Sequence, residues 1–269
     1  MDLELNSKVA LVSGAHRGTG LVIAEMLLHE GASVAIHGFT PEEAESAVKH
    51  LVSNGMPSDR VTAVWGDLAT DEGADQVYRL TTDAWTKLDI LVNNYGSAVA
   101  GKWQKSTIDD WQLAINKNLY SAIRLTNLFL PAMRALKWGR VIQISTIGDH
   151  QPNSIMPHYY AAKAALSNTT VSLAKELTNT GITVNTVSPG FIRTPEMEAF
   201  YRAKAIKKGW PTQWRALEQK IVENDFPNPC GRVATREDIA NLVAFLCSPK
   251  ADFINGQNIR VDGGAISYF

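Results

Sequence analysis

The chain has 269 residues, 45% of them hydrophobic and 20% charged, with a formal net charge of −1. These are the values of an ordinary globular chain. They argue against a nucleic-acid partner, which calls for a basic excess, and no apolar run approaches the ~20 residues that cross a bilayer. Cys230 and Cys247 stand apart, with no Cys/His cluster near either. Neither a disulfide framework nor a metal site is therefore expected, and a reducing, cytoplasmic setting is. Residues 1–6 lack the basic stretch and long apolar core of a secretory leader.

Short, nearly continuous apolar runs rich in β-branched residues fall at 8–12, 33–37, 61–65, 89–92, 140–144, 182–187 and 257–261. Between them apolar residues recur every three or four positions, at 21–30, 41–53, 111–136, 161–178 and 236–246. Strands of this kind alternating with helices are parallel strands buried on both faces. The pattern predicts an α/β fold, Rossmann-like and doubly wound, with a seven-stranded parallel sheet and helices on both faces. No linker or repeat divides the chain, so residues 1–269 read as one domain. The rhythm breaks once, at 194–229, where two helical patches (196–208 and 213–224) occur without a strand. A long excursion from the C-terminal end of a strand is where open α/β sheets build their ligand crevice, and this one is expected to be a helical substrate lid.

The first strand runs through Ser13-Gly14-Ala15-His16-Arg17-Gly18-Thr19-Gly20 into a helix. Glycines at 14, 18 and 20 permit a tight turn and close approach of backbone N–H groups to a pyrophosphate, and the helix N-terminus adds partial positive charge there. Farther along, Tyr159 and Lys163 are one helical turn apart and share a face. An ammonium within about 4–6 Å of a phenol favours the phenolate, lowering a pKa near ~10 by ~1–3 units, so Tyr159 can trade a proton. Tyr160, three residues from Lys163, is a geometric competitor.

Further motifs follow in order: Asn93-Asn94-Tyr95-Gly96, Asn118-Leu119, Asn185-Thr186-Val187-Ser188-Pro189-Gly190 and Val261-Asp262-Gly263-Gly264. With the G-x-x-x-G-x-G turn and Tyr-x-x-x-Lys, they resemble the single-domain branch of the short-chain dehydrogenase/reductase superfamily across residues 8–264. The run 159–194 is most similar to the 3-oxoacyl-acyl-carrier-protein reductases. Ser13 stands where that family usually has Thr, and Tyr95 where it has Ala.

The resemblance implies a nicotinamide dinucleotide across the strand ends. Gly14, Gly18 and Gly20 would line the pyrophosphate turn, Asp67 and Leu68 would meet the adenine, and Asn94 and Gly96 its ribose. Beyond Pro189 and Gly190, Ile192 and Thr194 would reach the carboxamide. At the end of the second strand, His37-Gly38-Phe39-Thr40, no acid occurs until Glu42 to accept ribose hydroxyls as in NAD enzymes. Arg17 sits where NADP-preferring relatives carry a base and could fork onto a 2′-phosphate. NADP(H) is thus preferred, with NAD(H) possible because Phe39 replaces a second cation.

The implied activity is interconversion of a carbonyl and a secondary alcohol. Tyr159 is the general acid/base, Lys163 its helper and ribose ligand, and Asn118 the holder of a relay water. The family's serine lies thirteen residues before the tyrosine, which is Thr146 here; a one-residue loop difference would give the role to Ser145. Alternatives are an acyl-carrier-protein substrate, docking on Lys204, Lys207, Lys208 and Arg215, or a non-catalytic NADP-binding regulator, which would have no need to keep Tyr159 and Lys163. Ile155, Met156, Trp103, Phe200 and Trp210 would suit a bulky apolar substrate. Relatives imply a homotetramer, or a homodimer.

Overall fold

The structure, a computed structural model, describes residues 1–267. Its frame is one all-parallel sheet in the order β3-β2-β1-β4-β5-β6-β7. The strands are β1 (Val9–Val12), β2 (Ser33–Gly38), β3 (Val61–Trp65), β4 (Ile90–Asn93), β5 (Gly139–Ile144), β6 (Ile182–Pro189) and β7 (Asn258–Val261). Every residue of β1, β4, β5 and β6 is buried, as a sheet covered on both faces demands. The order reverses between β1 and β4, which leaves a crevice at the C-terminal ends of those two strands.

Helices α1 (Gly18–His29), α2 (Pro41–Ser53), α3 (Asp71–Ala84), α4 (Ile108–Ile115), α5 (Ser121–Leu136), α6 (Pro157–Glu176) and α9 (Arg236–Cys247) make the crossovers. Two apolar clusters, one on each sheet face, hold them: Leu27, Ile36 and Val243 belong to one, Leu11, Phe129 and Val184 to the other. Side-chain caps mark helix starts, including Thr40 on the Glu43 N–H and Thr107 in a capping box with Asp110.

The apolar pattern at 111–136 predicts a single helix; instead α4 and α5 are joined by a π-helical turn, Asn116–Tyr120. Asn118 sits inside that turn, buried, where a widened turn frees backbone groups that an α-helix would consume. After β6 come α7 (Pro195–Lys208) and α8 (Trp214–Asn224), packed on each other through their own cluster of Tyr201, Ala205, Leu217, Ile221 and Val233.

Candidate active site

At the crevice, the glycine turn is braced from three sides. The Ser13 hydroxyl accepts the N–H groups of Asn94 and Tyr95 at 3.0 and 2.9 Å, which is why a hydroxyl is needed at that position. The Asn94 amide donates to the carbonyls of Ser13 and Gly14. His37, fully buried at the end of β2, accepts the Gly14 N–H on Nδ1 at 2.9 Å and donates from Nε2 to the Gly66 carbonyl. Burial depresses its pKa to about 4, the bond to Gly66 opposing, so the ring is neutral and its tautomer fixed.

Space in this turn is shaped for a ligand. A Cβ at Gly20 would lie 2.4 Å from the Asn94 amide nitrogen and 2.6 Å from the Gly14 carbonyl oxygen. Gly18, at φ +64°, has nothing within 4 Å of where a Cβ would stand, so its backbone faces open space at the start of α1. A close-packed turn whose one open side lies at a helix N-terminus fits a pyrophosphate.

One cavity of about 500 Å³ runs from this turn to the Tyr-Lys pair. Gly14, Arg17, Gly18 and Gly20 of the turn line it, together with Phe39, Tyr95, Asn94, Gly96, Tyr159, Lys163 and Thr194. Gly96 is held to a glycine by convergence, because a Cβ there would lie 2.6 Å from Asn118 Oδ1 and 3.2 Å from Lys163 Nζ. Asn118 in turn clamps the loop following β4: its Oδ1 accepts from Ser97 N–H at 2.9 Å and its amide donates to the carbonyls of Ala114 and Ser97.

Several expected residues lie elsewhere. Leu68 is fully buried in the core; Asp67 is exposed beyond the cavity wall and accepts the Ala69 N–H on Oδ1. Pro189 and Gly190 are also outside its wall, a Cβ at Gly190 being blocked by Asp262 and Phe226, and Ile192 forms a strand-like bridge with Ala234. Asn116, a rival to Asn118, is tied to Ala69 and Arg124.

The expectation that Lys163 acidifies Tyr159 does not hold here. Burial pushes the phenol up, with Tyr160 and Asp149 adding to it. Lys163 Nζ donates to the Ile144 carbonyl at 2.7 Å, and its own pKa is lowered by burial to about 8, Asp149 opposing. Burial is the largest cause of both shifts. Tyr160, the competitor, accepts from the Asn153 amide at 2.7 Å and packs on Gly148, beside Trp103 and Trp111 in a separate cavity.

Ser145 is buried; its hydroxyl donates to Asp149 at 2.8 Å and lies 3.0 Å from the Ser167 hydroxyl. Its neighbour Thr146 begins a 3₁₀ turn, where its oxygen accepts the Gly148 N–H, leaving its proton uncommitted. The cavity wall includes Ser145 and not Thr146, so the wall and the hydrogen bonding point to different residues. The Ser145 hydroxyl faces two acceptors, the buried Asp149 carboxylate at 2.8 Å and the Lys163 carbonyl at 3.3 Å.

Sequence reasoning missed that carboxylate, Asp149. Its side chain is 1% exposed and accepts from Ser145, Ser167, Ser188, Asn258 and His150. Those hydrogen bonds hold its pKa below the usual value against burial. It also missed His37 and the glutamates Glu43 and Glu196. Only Glu43 carried a signal, the T-x-x-E spacing from Thr40 that marks a helix start.

A glycine-turned pyrophosphate cradle at the switch point of a parallel sheet, continuous with half-buried Tyr159 and buried Lys163, defines a nicotinamide-dinucleotide oxidoreductase. Comparison with known proteins narrows this. Residues 14–265 match the family model described as enoyl-(acyl carrier protein) reductase. The chain is 33% identical over 262 residues to a 3-oxoacyl-acyl-carrier-protein reductase of Vibrio cholerae, covering 97% of this chain and 98% of that protein. The crystal structure of L-sorbose reductase from Gluconobacter frateurii, complexed with NADPH and L-sorbose, superposes with a TM-score of 0.92 at 31% identity over the whole of both chains. A 3-oxoacyl (acyl-carrier-protein) reductase from Agrobacterium tumefaciens with NADP bound gives 0.85 at 28% identity, covering 98% and 96% of the two chains. The chain belongs to the short-chain dehydrogenase/reductase superfamily, enzymes that act on CH–OH groups with a nicotinamide dinucleotide.

Proposed function

We propose that this chain is an NADP(H)-dependent reductase of a ketone, or in reverse a dehydrogenase of the secondary alcohol. The observation that carries the reading is the single cavity joining the glycine turn to Tyr159 and Lys163. NADP(H), when bound, supplies or accepts the hydride; Gly14, Gly18 and Gly20 would hold its pyrophosphate, Asn94 and Gly96 its adenosine side, and Thr194 its nicotinamide end. The NADP-bound relatives support the preference for the phosphorylated cofactor.

Tyr159 donates its hydroxyl proton to the substrate oxygen in reduction. Its raised pKa suits that direction, because the phenol keeps its proton at neutral pH. Thr146 donates a hydrogen bond to the same oxygen, one that strengthens as negative charge develops there. Lys163, cationic below about pH 8, stabilises that charge and orients the cofactor ribose. Asn118 positions Lys163 through Gly96 and holds the relay water. Helices α7 and α8 form the lid over the substrate.

A carrier-bound ketoacyl substrate is the second reading, favoured by the relatives so named. In the lid Lys204 pairs with Asp225, leaving exposed Lys207 and Lys208 to meet an acidic carrier. A cytoplasmic homotetramer, as among related proteins, is part of the proposal. The test is a panel of free ketones, alcohols and carrier-bound ketoacyl thioesters, followed by NADPH and NADH absorbance. Tyr159→Phe is expected to lower kcat by about 10²–10⁴-fold with little change in cofactor binding. Undiminished turnover in that variant overturns the assignment.

A further inference from the structure

The sequence case for NADP(H) rests in part on the absence of an acid at the end of β2, and the fold alters it. Glu43, from the first turn of α2, folds back over the strand end, and its Oε2 accepts the Phe39 N–H at 2.9 Å. Across the cavity mouth, Glu196 in the first turn of α7 holds the Arg17 guanidinium at 2.8 Å. Phe39 and Arg17 line the same end of the cavity, beside His16, whose ring meets Phe39 edge-on.

A 2′-phosphate at that end needs a main-chain N–H and a guanidinium, the donors a phosphate dianion recruits. Both are already on carboxylates. We propose that Glu43 and Glu196 occupy the donors of the 2′-phosphate site and set the cofactor ratio of this enzyme. NADP(H) must displace Glu43 from the Phe39 N–H and share Arg17 with Glu196, whereas NAD(H), which bears hydroxyls there, need do neither. The chain therefore uses both cofactors, with a narrower preference for NADP(H) than Arg17 alone would give. This inference rests on the dinucleotide-binding reading above.

A rival account makes Glu43 a helix cap only, since Thr40 caps the Glu43 N–H and the glutamate reaches back in return. Glu43→Gln separates the two. It keeps an acceptor for the Phe39 N–H and so preserves the cap, but it removes the charge that repels a phosphate. Glu196→Gln, on the exposed lid, tests the second carboxylate without touching α2.

The experiment is direct titration of the full-length chain, without substrate, with NADPH and with NADH, read by calorimetry or tryptophan quenching. Glu43→Gln is expected to shift the ratio of dissociation constants about tenfold toward NADPH, and Glu196→Gln by about threefold, both shifts shrinking with added salt. An unchanged ratio in both variants, with both cofactors still bound, overturns this inference alone. Failure of the wild-type chain to bind either cofactor overturns it together with the functional reading.

Discussion

Removing the Asp149 carboxylate should weaken the whole floor of the site. The carboxylate ties four elements together: Ser145 just past β5, Ser167 on α6, Ser188 on β6 and Asn258 on β7 all donate to its Oδ2, and His150 contacts Oδ1. Hydrogen bonds to a charged acceptor contribute about 1.5–3 kcal/mol each, but desolvation of the carboxylate opposes them and they are not additive. Asp149→Ala leaves four donors, two buried and two half-buried, of which Ser145 and Ser167 can still pair at 3.0 Å and Ser188 and Asn258 at 2.7 Å. The net loss is therefore about 3–5 kcal/mol, or roughly 10 °C in Tm for a chain of this size. Asp149→Asn keeps one acceptor and should lose about half as much. The pH dependence has a definite sign. The folded pKa lies below the ordinary 3.8, so the contribution is complete above that value and is lost as pH falls through the lowered one. Urea unfolding at neutral and acid pH measures both effects. An alanine variant within about 1 kcal/mol of wild type, at equal m-value, refutes the network as the tie between strands and α6.

Two further outcomes follow from the site. Ketone reduction should hold level below about pH 8 and fall as pH rises through that value, where the Lys163 ammonium loses its proton. Asp149→Asn should move that limb to lower pH, since Asp149 raises the Lys163 pKa; a rate level to about pH 10 contradicts the assignment. Gly20→Ala puts a methyl 2.4 Å from the Asn94 amide and 2.6 Å from the Gly14 oxygen, so Asn94 must leave its bonds to the turn. Dinucleotide affinity should fall at least about tenfold while the fold loses about 1–3 kcal/mol, and calorimetric binding equal to wild type would contradict the close-packed turn.

The sequence determined what is local or periodic. Seven runs of buried strand residues, separated by helix-period segments, are enough for a parallel sheet, because strands covered on both faces have no polar side to display. The glycine turn was legible for the same reason: Gly14 and Gly18 adopt positive φ, which few side chains tolerate. Tyr159 and Lys163 were legible because one helical turn fixes their common face.

Contacts between elements distant in sequence were decided only by tertiary structure. No spacing announces that Ser145, Ser167, Ser188 and Asn258 converge on Asp149, or that Glu196 crosses 179 positions to Arg17. The direction of the Tyr159 shift also belongs here. Sequence supplies the spacing to Lys163, but the desolvation that raises the phenol depends on how many other segments shut water out. For the same reason the strand end that lacks an acid in sequence acquires one in space, when α2 turns Glu43 back onto Phe39.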